Sequence, residues 1–220
     1  MKVYSNDNFR IVSLFALPIL FALGTTPILL LTSTWEEWLI VDYLVRVLIL
    51  LYILMIPIVR SEVRRMFWRP WPESIGQLRA MTFFAVVLGT LVLEIFINQL
   101  RPPLTALFPE MEFFNYFEIQ NRFWLIFDLT IGLVLVAVSE EIVFRGFVVR
   151  VLQVMTRRPI FLVLMSALIF GVAHWPNGVD NIVATGLTGI VLGGIYMWSK
   201  SLWPCVIIHY LINLGYFWPS

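Results

Sequence analysis

Six side chains in the last part of the sequence have the types and spacing for chemistry: Glu140, Glu141, Arg145, His174, His209 and Asn213. The chain has only two histidines, and both are in this set, each inside a strongly apolar stretch. Glu141 and Arg145 are four residues apart, as are His209 and Asn213, so each pair shares one face of a helix. Adjacent helical residues point about 100° apart. Glu140 and Glu141 therefore need different partners, and if Glu141 takes Arg145, Glu140 faces another helix. A carboxylate and an imidazole can share and activate one water. An imidazole and a carboxamide on one face present N–H donors that suit an oxyanion. Together these are the minimum for amide hydrolysis. The plainer readings are a helix salt bridge for Glu141 and Arg145, packing for either histidine, and a helix cross-link for Asn213. Glu140, His174 and His209 are also zinc-ligand types. The HExxH spacing is missing, however, and three candidates on three separate stretches leave spacing silent about a metal. Ser139 has no evident base, and Cys205, one turn before His209, reads as packing.

The elements that must position these groups are membrane helices. Of 220 residues, 60% are hydrophobic and 13% charged, against about 45–50% and about 25% in typical soluble domains. The mean hydropathy is +0.88. Such a composition excludes a soluble core and a disordered chain. The lone Cys205 excludes a disulfide scaffold, and a net charge of +1 gives no polybasic footprint for nucleic acid. Alternation of period two, the mark of a β-barrel, is absent. We expect an all-α, polytopic transmembrane helix bundle of about seven spans, at 11–32, 39–59, 80–99, 124–152, 159–175, 181–199 and 201–218. The fourth either runs as one long helix or breaks near Gly146. The first is too long for the ~7–15-residue apolar region of a signal peptide. Gly189 and Gly193 form a small-xxx-small pair, which lets helix backbones approach closely. Residues 1–220 read as a single integral membrane domain, with a motif-bearing core at about 124–218.

Twelve of the fifteen Lys and Arg fall on one side of these spans, with Arg145 counted among them; Arg101 and Arg122 lie opposite and Arg46 lies within a span. The positive-inside rule then makes the amino end cytoplasmic and the carboxyl end not. The loop with Pro102, Pro103 and Pro109 becomes external, and its aromatics Phe113, Phe114, Tyr116 and Phe117 suit the interface. A charge at the bilayer centre costs at least about 2.5–3.5 kcal/mol, so Asp42, Arg46, Glu94 and Asp128 need partners. They read as an ion-pair cluster locking helices together, and a transport relay is the sharper alternative. His209 lies mid-span and His174 near an external end. Glu140 reaches their depth only if the fourth helix is shifted outward, which the apolar run Val148, Val149, Val151 and Leu152 permits. Water must reach such a pocket.

Three motifs follow in order: EExxxR at Glu140, Glu141 and Arg145, FxxxH at Phe170 and His174, and HxxxN at His209 and Asn213. On successive hydrophobic helices this set resembles the CPBP family of intramembrane endopeptidases, the CAAX proteases and bacteriocin-processing enzymes also called the Abi family. The resemblance covers about 139–213 and implies a CAAX-protease-like core. It implies that Glu140 and His174 activate the water, that His209 and Asn213 bind the oxyanion, and that Glu141 and Arg145 support them by holding helices and tuning Glu140. Members have been described both as metalloproteases and as metal-independent glutamate proteases. We expect the latter, with no cofactor. In the zinc alternative Glu140, His174 and His209 are the ligands. The expected partners are the bilayer and a peptide or protein substrate, prenylated as in CAAX tails or unmodified. The expected location is a bacterial inner membrane. Seven spans, against the eight associated with the CAAX enzymes, leave prenyl specificity open. Two other functions compete: a non-catalytic immunity or scaffold protein that binds peptides, and a proton-coupled transporter.

Overall fold

The computed structural model describes residues 6–67, 79–109 and 116–218. Helix α1 spans Asn6–Leu29, α2 Trp35–Met55, α3 Pro57–Phe67, α4 Arg79–Asn98 and α5 Arg101–Leu107. Next come the long α6, Arg122–Met155, then α7 Pro159–Ala173, α8 Val179–Ser199 and α9 Leu202–Phe217. No β-strand occurs among the described residues. The chain is an all-helical integral membrane protein. Five helical segments are long and apolar enough to cross a bilayer, and α7 and α9 are shorter apolar helices of the same bundle.

Local sequence explains the boundaries. Thr34 caps α2 by accepting from the Glu37 N–H at 3.3 Å, while the Glu37 carboxylate reaches back to the Ser33 N–H at 2.8 Å. Asn121 caps α6 by accepting from the Phe123 and Trp124 N–H groups at 2.9 and 3.3 Å. The second span ends earlier than its expected limit of 59, because the chain turns at Ile56 and Pro57 starts a new helix. That helix, α3, is amphipathic: Val59, Val63 and Met66 are buried along one stripe, while Arg60, Arg64 and Arg65 are exposed.

The fourth expected span does not break near Gly146. Helix α6 continues through it as two widened, π-helical turns, Asp128–Gly132 and Ile142–Val148. In each, a hydroxyl from a neighbouring helix picks up a backbone carbonyl. Tyr210 donates to Leu129 O at 3.2 Å, and Ser166 donates to Phe144 O at 2.7 Å. Buried carbonyls in irregular turns need such partners. The second wide turn is buried throughout and forms the centre of the core. Phe15 of α1 stacks on Phe147 at 4.6 Å, with Val45, Ile49, Ile53, Phe170 and Leu202 around them.

Helices α7 and α8 meet at backbone distance, as the Gly189 and Gly193 spacing suggests. A Cβ on Gly189 would lie 3.1 Å from the Ala167 Cα, and one on Gly193 would lie 3.2 Å from Val163. The tightest point is Gly171, where a Cβ would stand 2.7 Å from the Ile182 carbonyl. At one end of the bundle the Thr26 hydroxyl ties α1 to Ala173 O, and at the other Ser201 ties α9 to Phe67 O. Phe113 and Phe114 lie outside the described residues. Tyr116 packs edge-on against Trp38 and Phe217, at 5.8 and 5.0 Å.

Candidate active site

Glu140 and Glu141 sit just before the second wide turn of α6, His174 closes the carboxyl end of α7, and His209 and Asn213 lie one turn apart on α9. At 1.5 Å per residue the 34-residue α6 is about 50 Å long. It exceeds the ~30 Å hydrocarbon layer, so Glu140 can meet the other helices at their own depth. Glu140, His174, His209 and Asn213 all line one cavity of ≈ 150 Å³.

Three of these four groups are held by a neighbour. The Oε1 of Glu140 accepts from Arg46 Nη1 at 3.0 Å, and its Oε2 lies 3.6 Å from His209 Nε2. Arg46 also grips Asp42 through two bonds of 2.8 Å and touches the Ser139 hydroxyl at 3.1 Å. His174 Nδ1 lies 2.8 Å from the Phe170 carbonyl. A carbonyl only accepts, so this nitrogen carries the proton and Nε2 is left as the free base. His209 Nδ1 donates to Glu141 Oε1 at 2.8 Å, and the same oxygen accepts from Arg145 Nη1 at 2.9 Å. The side chain of Asn213 has no hydrogen-bond partner among the described residues and borders the cavity.

Glu141 and Arg145 are fully buried and stand behind the cavity rather than in it. Among the described residues Glu141 Oε2 and two of the Arg145 nitrogens have no hydrogen-bond partner, but the guanidinium lies 4.4 Å from the centre of the Phe170 ring. A cation over an aromatic face recovers part of the lost solvation. Two expectations change here. The Glu141–Arg145 pair holds His209, whereas Glu140 is held by Arg46. Arg145 is also no loop charge, which takes it out of the basic count without altering the asymmetry. The expected polar cluster of Asp42, Arg46, Glu94 and Asp128 divides as well. Asp42 and Arg46 join Glu140, and Asp128 accepts from Tyr43 at 2.5 Å. Glu94 accepts from Thr188 at 2.8 Å in a separate cavity.

Arg46 is the site residue that sequence reasoning placed elsewhere. Its signal was charge balance: two adjacent carboxylates had one nearby cation, and Arg46 is the other arginine inside a span. Ser139 and Cys205 are not poised as nucleophiles. Ser139 donates to the Val136 carbonyl at 3.0 Å, and Cys205 is buried with its thiol toward Leu192 O. Among the described residues, no three His, Cys, Asp or Glu side chains are gathered closely enough to hold a metal ion. Glu140, His174 and His209 border the cavity without forming such a set. One oxygen of Glu140 is committed to Arg46, and one nitrogen of each histidine is committed to its own acceptor.

Comparisons with known proteins agree with the motifs. The uncharacterised protein YyaK of Bacillus subtilis (strain 168) is 27% identical over 169 residues, which are 75% of this chain and 52% of YyaK. The chain thus spans about half the length of that relative. No solved structure matches. Residues 122–215, α6 through most of α9, match the family model of the Rce1-like type II CAAX prenyl endopeptidases. That segment is similar to the Rce1-like CAAX endopeptidases, and the three motifs lie inside it.

Proposed function

We propose that this protein is an intramembrane endopeptidase that hydrolyses a peptide bond of a membrane-associated peptide, prenylated or not, with a water activated by Glu140 and His174. The observation that carries the reading is the common cavity. Glu140, His174, His209 and Asn213 come from three helices and border the same ≈ 150 Å³, which is space for several waters.

In this mechanism a water lies between Glu140 and the free Nε2 of His174. As the water attacks the scissile carbonyl, Glu140 takes its proton. Arg46 keeps the carboxylate oriented and balances its charge. The carbonyl oxygen becomes an oxyanion, which accepts N–H donors from His209 Nε2 and the Asn213 amide. Nδ1–H of His209 is committed to Glu141, so donation from Nε2 needs a second ring proton. The carboxylates of Glu141 and Glu140, at 2.8 and 3.6 Å, offset that charge. Collapse of the intermediate breaks the C–N bond, and Glu140 returns its proton to the leaving amine. The four groups suffice for this sequence without a cofactor.

The cavity lies toward the carboxyl ends of α7 and α9, away from the Arg-rich α3 and the α6–α7 turn with Arg157 and Arg158. With the amino end cytoplasmic, in a bacterial inner membrane, the site takes substrate from the non-cytoplasmic half. The test is cleavage of fluorogenic tail peptides by the purified protein in proteoliposomes. Glu140→Gln keeps the acceptor for Arg46 but removes the base, and activity should fall at least about 10²–10⁴-fold. Cleavage by Glu140→Gln within tenfold of the parent enzyme refutes the assignment.

A further inference from the structure

A second cavity, of ≈ 520 Å³, lies among α4, α5, α8 and α9. It shares His174, His209 and Asn213 with the first cavity, while Glu140 borders only the smaller one. The two imidazoles therefore stand between a small chamber that holds the base and a larger one with room for substrate side chains.

The larger chamber has a specific charge balance. Arg101 is fully engaged. Its Nε donates to Asn98 at 2.9 Å and its Nη2 to Asn181 at 3.1 Å, its Nη1 lies 3.6 Å from Asp180, and its guanidinium covers the Tyr216 ring at 5.0 Å. Among the described residues Glu94 has one hydrogen-bond partner, the Thr188 hydroxyl on Oε2 at 2.8 Å. No cation lies within ion-pair distance of Glu94 among the described residues, and Arg101 and His209 act on it only at longer range. With Arg101 assigned to Asp180, Glu94 is a carboxylate in surplus. Around it Leu91, Ile95 and Ile212 supply an apolar wall. An acid beside an apolar wall suits a long cationic side chain, whose methylenes pack while its head is paired.

We propose that this chamber is a specificity subsite for a lysine or arginine side chain of the peptide substrate, with Glu94 as its counter-ion. The proposal rests on the endopeptidase reading for its orientation toward the scissile bond, and it deepens that reading by naming a substrate class. An unpaired carboxylate at membrane depth is costly, and a bound cationic side chain gives Glu94 a counter-ion.

The experiment separates binding from cleavage. Peptides that differ only in Lys, norleucine or Glu at the positions flanking the cut are bound to Glu140→Gln protein in proteoliposomes, measured by fluorescence anisotropy, and cleaved by the parent enzyme. Lys peptides should bind and be cleaved (kcat/KM) about tenfold better than norleucine ones, the scale of one desolvated charge pair. Glu94→Gln should bring the Lys-to-norleucine ratio near one, and Glu94→Lys should turn the preference toward Glu peptides. A Lys preference that survives Glu94→Gln, or its absence in the parent enzyme, overturns the subsite and leaves the endopeptidase reading intact. A Glu94-dependent Lys preference in binding with no cleavage of any peptide upholds the subsite and overturns the peptidase.

Discussion

Removing the carboxylate of Glu141 tests whether the buried pair behind His209 is structural only or also positions a reacting group. In Glu141→Leu, Arg145 keeps its charge with no exposure to solvent and only the Phe170 ring, at 4.4 Å, to face. Stranding one half of a buried pair costs about 3–5 kcal/mol. Arg145→Met removes the cation of Glu141 and leaves it the His209 N–H at 2.8 Å, with Oε2 lacking a hydrogen-bond partner among the described residues. The double variant Glu141→Leu with Arg145→Met strands no charge. Its remaining defect is the His209 Nδ1–H that loses its 2.8 Å acceptor, worth about 1–3 kcal/mol for a buried donor. The double variant should thus be more stable than either single one, read by equilibrium unfolding in mixed micelles. Activity should not follow stability. In the double variant His209 loses its orienting acceptor and the nearer of its two counter-charges, and loss of one oxyanion donor lowers kcat by about 10²–10³. A double variant that regains both stability and kcat would show that the pair only holds helices, and the positioning role would fall.

Arg46→Met leaves Asp42 and Glu140 facing each other without their cation. It should cost about 3–5 kcal/mol and lower kcat/KM, with Arg46→Lys recovering only part because it lacks the fork that reaches both acids; unfolding and peptide cleavage measured together check this. Asn213→Ala removes one oxyanion donor and should lower kcat by about 10²–10³ with little change in KM, read by steady-state kinetics. Gly171→Ala sets a Cβ 2.7 Å from the Ile182 carbonyl and 3.0 Å from the Gly186 Cα, both backbone atoms, and should destabilise by about 1–3 kcal/mol. Gly186→Ala meets nothing closer than 4.0 Å and should be near neutral in the same unfolding assay.

Much of the bundle was legible because lipid makes the sequence speak in long apolar runs, and the described helices follow the expected spans closely. The motif residues were legible because polar groups in such runs are few. Geometry across helices was not. Charge counting said that Glu140 needs a partner other than Arg145, but nothing in the spacing pointed to Arg46, nearly a hundred residues away. Asp42 at i−4 explained Arg46 so well within α2 that its spare nitrogen went unassigned. The wide turns of α6 were equally hidden. Gly132 and Gly146 mark them, yet a glycine in an apolar run also reads as a break, and only the Tyr210 and Ser166 hydroxyls show that the helix persists. Glu94 read as part of the Arg46 cluster because depth along a helix is visible in sequence and azimuth around the bundle is not.

The family match begins at residue 122, yet the site it contains is incomplete without the helices before it. Helices α6 to α9 supply Glu140, both imidazoles and the Asn213 amide, while α1 and α2 close the small cavity through Thr25, Thr26, Trp38 and Arg46. Of these, Arg46 is the one whose identity the chemistry constrains. Asp42 and Glu140 converge on it from two helices, with its Nε and Nη2 committed to Asp42 at 2.8 Å each and its Nη1 to Glu140 at 3.0 Å. A lysine carries the same charge on a single nitrogen and cannot span both carboxylates in that geometry. The guanidinium therefore does two things at once. It makes a pair of like charges tolerable inside lipid, and it leaves Glu140 Oε2 facing His209 and the cavity. In the proposed mechanism such a site would couple helix assembly to catalysis, since the Arg46 bond that orients Glu140 forms only when α2 has docked against α6.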